Sequence, residues 1–175
     1  MLMKNFDFKD FKDKLKVVTE EIYASLDKSN LIGFSLFTDS DAGSISYAYN
    51  TVAYLENQCK ENPDQPREYY KWYPPEWAME GESHEKLNNL SAQLFKLEFD
   101  AAYFEEFKAQ LFNTIAESLK ELKEEGQLFS NASKDLVLVF SIMDHYDYES
   151  DLNWVKLLNE EEQFAEYKAY MDQFQ

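Results

Sequence analysis

Apolar residues recur at three- and four-residue steps over much of the chain, which is the spacing of amphipathic helices. In residues 6–27, the first such stretch, the positions expected to face the core are Phe8, Phe11, Leu15, Val18, Ile22 and Leu26. The later helices are predicted at 51–62, 83–97, 100–126 and from 148 onward. Thr51, Ser83 and Asp100 have the side chains that cap helix N-termini, and Gly126 stands where a C-terminal glycine is expected.

Other stretches have the pattern of strands. Residues 31–37 and 44–50 alternate or run apolar on either side of the turn-forming segment 39–43, so they predict a β-hairpin. Residues 136–142 are apolar throughout, which indicates a strand covered on both faces. Residues 63–81 contain four prolines and predict a long irregular loop rich in aromatic residues.

This order of elements predicts an α+β fold, with a small, mostly antiparallel sheet packed against several amphipathic helices. A length of 175 residues fits a single domain over 1–175.

The charge of the chain restricts its partners. There are 34 acidic residues against 17 Lys and Arg, a net charge of −17, yet 17% of residues are aromatic, which is enough to build a core. From residue 144 to the end, nine acids face only two lysines, whereas residues 1–28 are balanced. Such a surface repels nucleic acid and anionic membrane and attracts a basic protein partner. The alternative reading is that the acidity only maintains solubility.

The N-terminus shows no signal peptide and the chain has no membrane-length apolar run, so a cytoplasmic location is expected. Cys59 is the only cysteine, and it has no partner for an internal disulfide. Arg67 is the only arginine, which disfavours an anion-binding active site.

The nearest approach to a catalytic cluster is the run Asp144-His145-Tyr146-Asp147 after the last predicted strand. A histidine beside carboxylates suits proton transfer or metal binding. The favoured interpretation is a polar turn in which Asp147 or Ser150 caps the next helix, because a metal site needs more ligands and His84 is the only other histidine.

Residues 39–43 resemble the opening of a calcium loop, but Asn50 stands where the bidentate Glu belongs, so a hairpin turn is favoured. No phosphate loop, nucleophile elbow or zinc spacing is present. The sequence therefore predicts no catalytic residue, no metal ligand and no cofactor, and it leaves enzymatic activity open.

Aromatic side chains concentrate in residues 69–77, around Pro74 and Pro75. Such a segment suits a recognition surface, since rings offer contact area at low entropic cost. The alternative, which is favoured, is that these rings pack inward and fix the loop to the core.

Three stretches together resemble a bacterial family, domain-of-unknown-function family 4303. They are Ile32–Asp39 with the helix start at Asn50-Thr51, the run Tyr70–Ala78, and Val139–Asp144 with Leu157–Asn159 further on. The second is similar to the family's basic-Trp-x-Pro-x-x-Trp signature, with Lys71 where Arg is commoner. The family's function is unassigned, so the resemblance implies no catalytic residues. Small acidic domains of this kind recur as immunity proteins beside bacterial toxins, which is an analogy at the level of fold.

The leading hypothesis is a non-catalytic, cytosolic binding protein, most concretely an immunity protein that neutralises a cationic toxin domain. The alternatives are an enzyme with a site near the Asp144-His145 turn and an acidic mimic of nucleic acid. The residues predicted to bind are Tyr70, Trp72, Tyr73, Trp77, Asp144, Asp147, Glu149 and Asp151.

Overall fold

The computed structural model describes residues 6–82, 84–98, 100–126 and 133–175. The α-helices in these ranges are α1 (Phe8–Ser25), α2 (Val52–Glu61), α3 (Arg67–Trp72), α4 (Glu85–Phe95), α5 (Ala101–Glu124), α6 (Tyr148–Leu158) and α7 (Glu161–Met171). The strands are β1 (Leu31–Asp39), β2 (Ile45–Thr51), β3 (Met79–Glu82) and β4 (Val137–Met143). Of the helices described, none is both long enough and apolar enough to span a membrane.

The four strands form one sheet in the order β3-β2-β1-β4. The pairs β1/β2 and β2/β3 are antiparallel, so the predicted hairpin is confirmed. β4 pairs with β1 in parallel, from Gly33 opposite Val137 to Asp39 opposite Met143. The α+β class is confirmed, and the carboxyl ends of β1 and β4 lie at the same edge of the sheet.

Helices cover both faces of this sheet. Phe34 and Leu36 of β1 belong to a core cluster shared with α1, α4 and α5. Phe37, on the opposite face, belongs to a second cluster that includes Trp72 of α3 and Tyr167 of α7. β4 contributes to both clusters, as its unbroken apolar run predicts. The second cluster includes Trp72 and Trp77 from the aromatic segment 69–77.

The predicted helix ends are confirmed at three places. The Thr51 hydroxyl accepts a hydrogen bond from the Tyr54 amide (3.2 Å), and Asp100 caps α5 through the Ala102 amide (3.2 Å). Gly126 follows α5 with φ +70°, a conformation that favours glycine. Ser83, the predicted cap of α4, lies outside the described residues, and the residue before α4 is His84.

The prediction of an irregular loop over 63–81 is wrong in part. The segment contains α3, a 3₁₀ turn at Pro74–Glu76 and the start of β3. None of these elements exceeds six residues, so none shows a full period in the sequence. Tertiary contacts hold them instead. The buried Asn50 side chain donates to the Tyr70 carbonyl (2.9 Å) and accepts from the Ala78 amide (3.4 Å).

Gly33 of β1 allows Trp77 to lie directly on the sheet. A Cβ at Gly33 would stand 2.8 Å from Cη2 of Trp77 and 2.9 Å from its Cζ2. We therefore expect Gly33→Ala to lower the free energy of unfolding by about 1–2 kcal/mol through overpacking, measured by urea denaturation. The loss should shrink in a Trp77→Phe background, because the two changes share one contact. Gly43→Ala is the control, since its nearest neighbour would be an Asp39 oxygen at 3.7 Å. Equal losses in both backgrounds would contradict the clash.

Candidate functional site

A cleft of about 700 Å³ opens where β4 ends. Tyr69 of α3 and residues 72–75, which run from the end of α3 into the 3₁₀ turn, form one wall, and α7 with the residues after it forms the opposite wall. Residues 139–146 and the first turns of α6 complete it. Its volume is that of ordinary ligand sites, and its place at the carboxyl end of a parallel strand is where open sheets commonly bind ligands.

Most of the lining is aromatic. The rings at the cleft are those of Tyr69, Trp72, Tyr73, Tyr146, Tyr167, Tyr170 and Phe174, with Phe37 and Phe140 of the sheet. Trp72 and Tyr167, both buried, are in direct contact with ring centroids 5.1 Å apart, and Tyr69 stacks on Tyr73 at 5.5 Å. These contacts hold the rings in place before any ligand arrives.

The mouth of the cleft exposes an unusual amount of apolar surface. Among the described residues, eight large hydrophobic side chains are exposed, and four of them line this cleft. They are Tyr73 (47%), Met143 (42%), Tyr146 (61%) and Phe174 (63%). Single exposed apolar residues are ordinary, but a cluster of them marks an interaction site.

The charged groups of the cleft are acidic. Glu80, Asp144 and Asp151 line it, and none of the described lining residues is Lys or Arg. Asp147 and Glu149 lie next to it, exposed, at the start of α6. The arrangement therefore suits a cationic group.

The Asp151 carboxyl of the cleft has a raised pKa. Burial, followed by the negative charge of Asp147, raises this pKa to about 6, and the proximity of His145, which acts in the opposite direction, limits the rise. The same burial, together with the charge on Asp151, raises the pKa of the Tyr167 hydroxyl. A carboxylate in this state can bind a cation or exchange a proton near neutral pH.

The turn before α6 has a structural role that explains part of its sequence. Asp147 accepts hydrogen bonds from the Glu149 amide (3.1 Å) and the Ser150 amide (3.4 Å), so the predicted cap is confirmed. These bonds, with that from the Ser150 hydroxyl, lower the pKa of Asp147. Asp144 takes a left-handed conformation, φ 56°, and His145 is exposed beside it.

Residues 39–43 form the hairpin turn that the sequence favours over a calcium loop. The Asp39 carboxylate accepts hydrogen bonds from the amides of Asp41 (3.0 Å) and Gly43 (2.9 Å) and from the Ser44 hydroxyl. Within the described ranges, no group of three or more His, Cys, Asp or Glu side chains is placed to hold a metal ion.

The aromatic residues predicted to bind divide into two kinds. Tyr70, Trp72 and Trp77 are buried, so the inward-packing alternative describes them, although Trp72 also lines the cleft. Tyr73 is half exposed at its mouth. Lys71, between them, is 6% exposed and donates a hydrogen bond to Glu166 of α7.

The sequence did not predict that α7 and the residues after it form part of the site. Tyr167, Tyr170, Met171 and Phe174 recur at helical spacing, which identifies one helix face but not what it meets. The wall is tied to the start of α6, because the Tyr148 hydroxyl donates to Asp172. Only the fold brings this face opposite residues 69–75.

A comparison with family models matches residues 11–160 to the family described as Domain of unknown function (DUF4303). The chain belongs to this family. The three stretches that resemble DUF4303 become β1, the α3–Trp77 segment and β4 with its turn, and each contributes residues to the cleft. The α7 wall lies beyond the DUF4303 match. Neither the curated proteins nor the solved structures contain a match to this chain.

Proposed function

We propose that this protein is a non-catalytic binding protein that holds a basic protein partner at the cleft. The observation that carries the proposal is the coincidence, at one site, of half the exposed large hydrophobic side chains with acids and without Lys or Arg, among the described residues. Exposed rings supply anchor surface, and carboxylates supply charge complementarity.

The overall charge supports the same proposal. A net charge of −17 produces a long-range field that speeds encounter with a basic protein. Most concretely, the partner is a cationic toxin domain in the cytoplasm and this protein is its immunity protein. Support for that finer statement is the analogy with other small acidic domains and the physical match of charge.

The test uses the protein encoded immediately upstream in the native genome. We expect saturable binding that weakens at least about tenfold as NaCl rises from about 50 to about 500 mM. Co-expression should also restore growth of cells that express that protein. Affinity that is independent of salt contradicts the electrostatic part, and failure to restore growth contradicts the immunity role.

A charge-neutral variant locates the contact. Asp144→Asn, Asp147→Asn and Glu149→Gln, combined, keep the cap and the left-handed turn, because Asn suits both. We expect this variant to lower the association rate by about tenfold. The matched control neutralises Glu105, Glu106 and Glu117 on α5, across the sheet. Equal losses in both variants contradict a localised site.

The second candidate function is an enzyme, and the observation in its favour is the raised pKa of Asp151 beside His145. If the protein is an enzyme, His145→Ala abolishes its catalytic activity while the midpoint of thermal unfolding stays unchanged. The nucleic-acid mimic stays a hypothesis, and competition by duplex DNA for the bound partner tests it.

A further inference from the structure

We propose that the cleft receives one arginine side chain of the basic partner, with its guanidinium against the exposed rings and hydrogen-bonded to the Asp151 carboxylate. The inference rests on the proposed function and adds the chemical identity of the group that enters. Three observations support it: the Asp151 carboxylate lacks hydrogen-bond donors, exposed aromatic rings line the same cleft, and the candidate cations differ in hydration and in their N–H donors.

The Asp151 carboxylate has unused hydrogen-bonding capacity. Within the described ranges, its backbone amide donates to the Asp147 carbonyl (2.9 Å), but no side chain or amide donates to its carboxylate oxygens. It is nevertheless half-buried at the wall of an aromatic cleft. Partial burial withdraws some water from this carboxylate without replacing it by a protein donor, so a ligand that brings donors is favoured.

The neighbouring rings are held ready to stack. Tyr73 lies on Tyr69, whose hydroxyl donates to Glu76 (2.9 Å), and this leaves Tyr73 half exposed at the mouth. Tyr146 is also exposed and lines the same cleft. Rings fixed before binding lose little conformational entropy when a planar group stacks on them.

Arginine fits this combination better than other cations. Its guanidinium is weakly hydrated, stacks on rings and carries five N–H donors that can serve both oxygens of one carboxylate. A lysine ammonium is more strongly hydrated and does not stack. A quaternary ammonium suits the rings but has no N–H for Asp151.

The test follows the Trp72 indole N–H of ¹⁵N-labelled protein by NMR during titration with N-acetyl-arginine N-methylamide. Trp72 lines the cleft, whereas Trp77 and Trp154 do not and serve as internal references. We expect a saturable shift of the Trp72 signal alone. The matched citrulline probe, a neutral isostere, and the lysine probe should bind at least about tenfold more weakly, because a charge-assisted hydrogen-bonded pair is lost or reduced.

Variants assign the contact to the acid. Asp151→Asn should weaken the arginine probe about tenfold, while Glu106→Gln, an exposed acid of α5, should leave it unchanged. Equal binding of citrulline, tighter binding of a trimethyl-lysine probe, or an unaffected Asp151→Asn variant overturns the proposal. If the arginine probe fails while salt-sensitive binding of the upstream protein holds, only this inference fails. If the arginine probe binds but the upstream protein does not, the proposed function is contradicted and the arginine site is supported.

Discussion

Replacing Glu166 by Gln is expected to lower the free energy of unfolding by about 2–3 kcal/mol, because it leaves the Lys71 ammonium buried without its carboxylate. The Lys71 side chain is 7% exposed and its Nζ donates to Glu166, whose side chain is 30% exposed. Loss of one partner of a fully buried pair costs about 3–5 kcal/mol, and the partial exposure of Glu166 places this pair below that range.

Two further variants separate the pair from the packing. Lys71→Met keeps an unbranched side chain of similar length without the charge, so we expect it to cost less than about 1 kcal/mol. In that background Glu166→Gln should have almost no further effect. The matched control is Glu21→Gln, which breaks the exposed pair with Lys86 and should cost about 0–1 kcal/mol.

Urea denaturation of the four variants measures these differences. A Glu166→Gln variant that is no less stable than Glu21→Gln contradicts the argument. The pair also connects the two walls of the cleft, since Lys71 belongs to α3 and Glu166 to α7. Glu166→Gln should therefore loosen the α7 wall as well as lower the stability of the whole protein.

Long, periodic elements could be predicted from the sequence because their pattern repeats. α1 and α5 extend over 18 and 24 residues, and β4 is an uninterrupted apolar run. The elements within residues 63–81 could not be predicted in this way, because a six-residue helix and a four-residue strand are too short to show a repeating pattern. They depend on contacts that are distant in sequence, such as Trp77 over Gly33.

The acidic part of the site could be predicted from the sequence, but the arrangement of its aromatic walls could not. Asp144 and Asp147 follow a buried strand, and the end of such a strand is a place where polar groups gather. Whether Trp72 faces the core or the solvent depends on a helix too short to reveal its face from the sequence. The pairing of Trp72 with Tyr167 joins residues 95 positions apart, and it arises from how α7 packs on the sheet.

Asp151→Asn is expected to make the protein more stable near neutral pH while it removes the proposed arginine contact. The pKa of Asp151 is about 6 in the folded protein, against an ordinary value of 3.8, because burial and the charge of Asp147 disfavour ionisation. The folded state therefore holds the proton more tightly than the unfolded state. Stability declines as pH rises from about 4 to about 6, and the full cost is present above that range.

The difference between a pKa of about 6 and the ordinary value of 3.8 corresponds to roughly 3 kcal/mol, which partial exposure of the side chain reduces to about 1–2 kcal/mol. Asp151→Asn should remove this cost at about pH 7.5 and should match the wild type below about pH 4. Three groups face the Asp151 carboxyl: His145 and Asp147 from the turn and Tyr167 from α7. The His145→Gln variant is measured alongside Asp151→Asn, because His145 lowers the pKa of Asp151.

Asp147→Asn is the matched control for a carboxyl whose pKa is lowered, and it is measured in the Asp151→Asn background so that loss of the Asp147 charge does not also change the pKa of Asp151. The pKa of Asp147 is lowered by hydrogen bonds from Ser150, so its ionised form stabilises the folded state above the ordinary pKa, and this contribution is lost as pH falls. Urea denaturation at several pH values measures both variants. If Asp151→Asn is less stable than wild type at about pH 7.5, then the carboxylate stabilises the fold and is not retained at a cost for binding. A gain in stability together with weaker binding of the arginine probe is the combination expected of a residue retained for function.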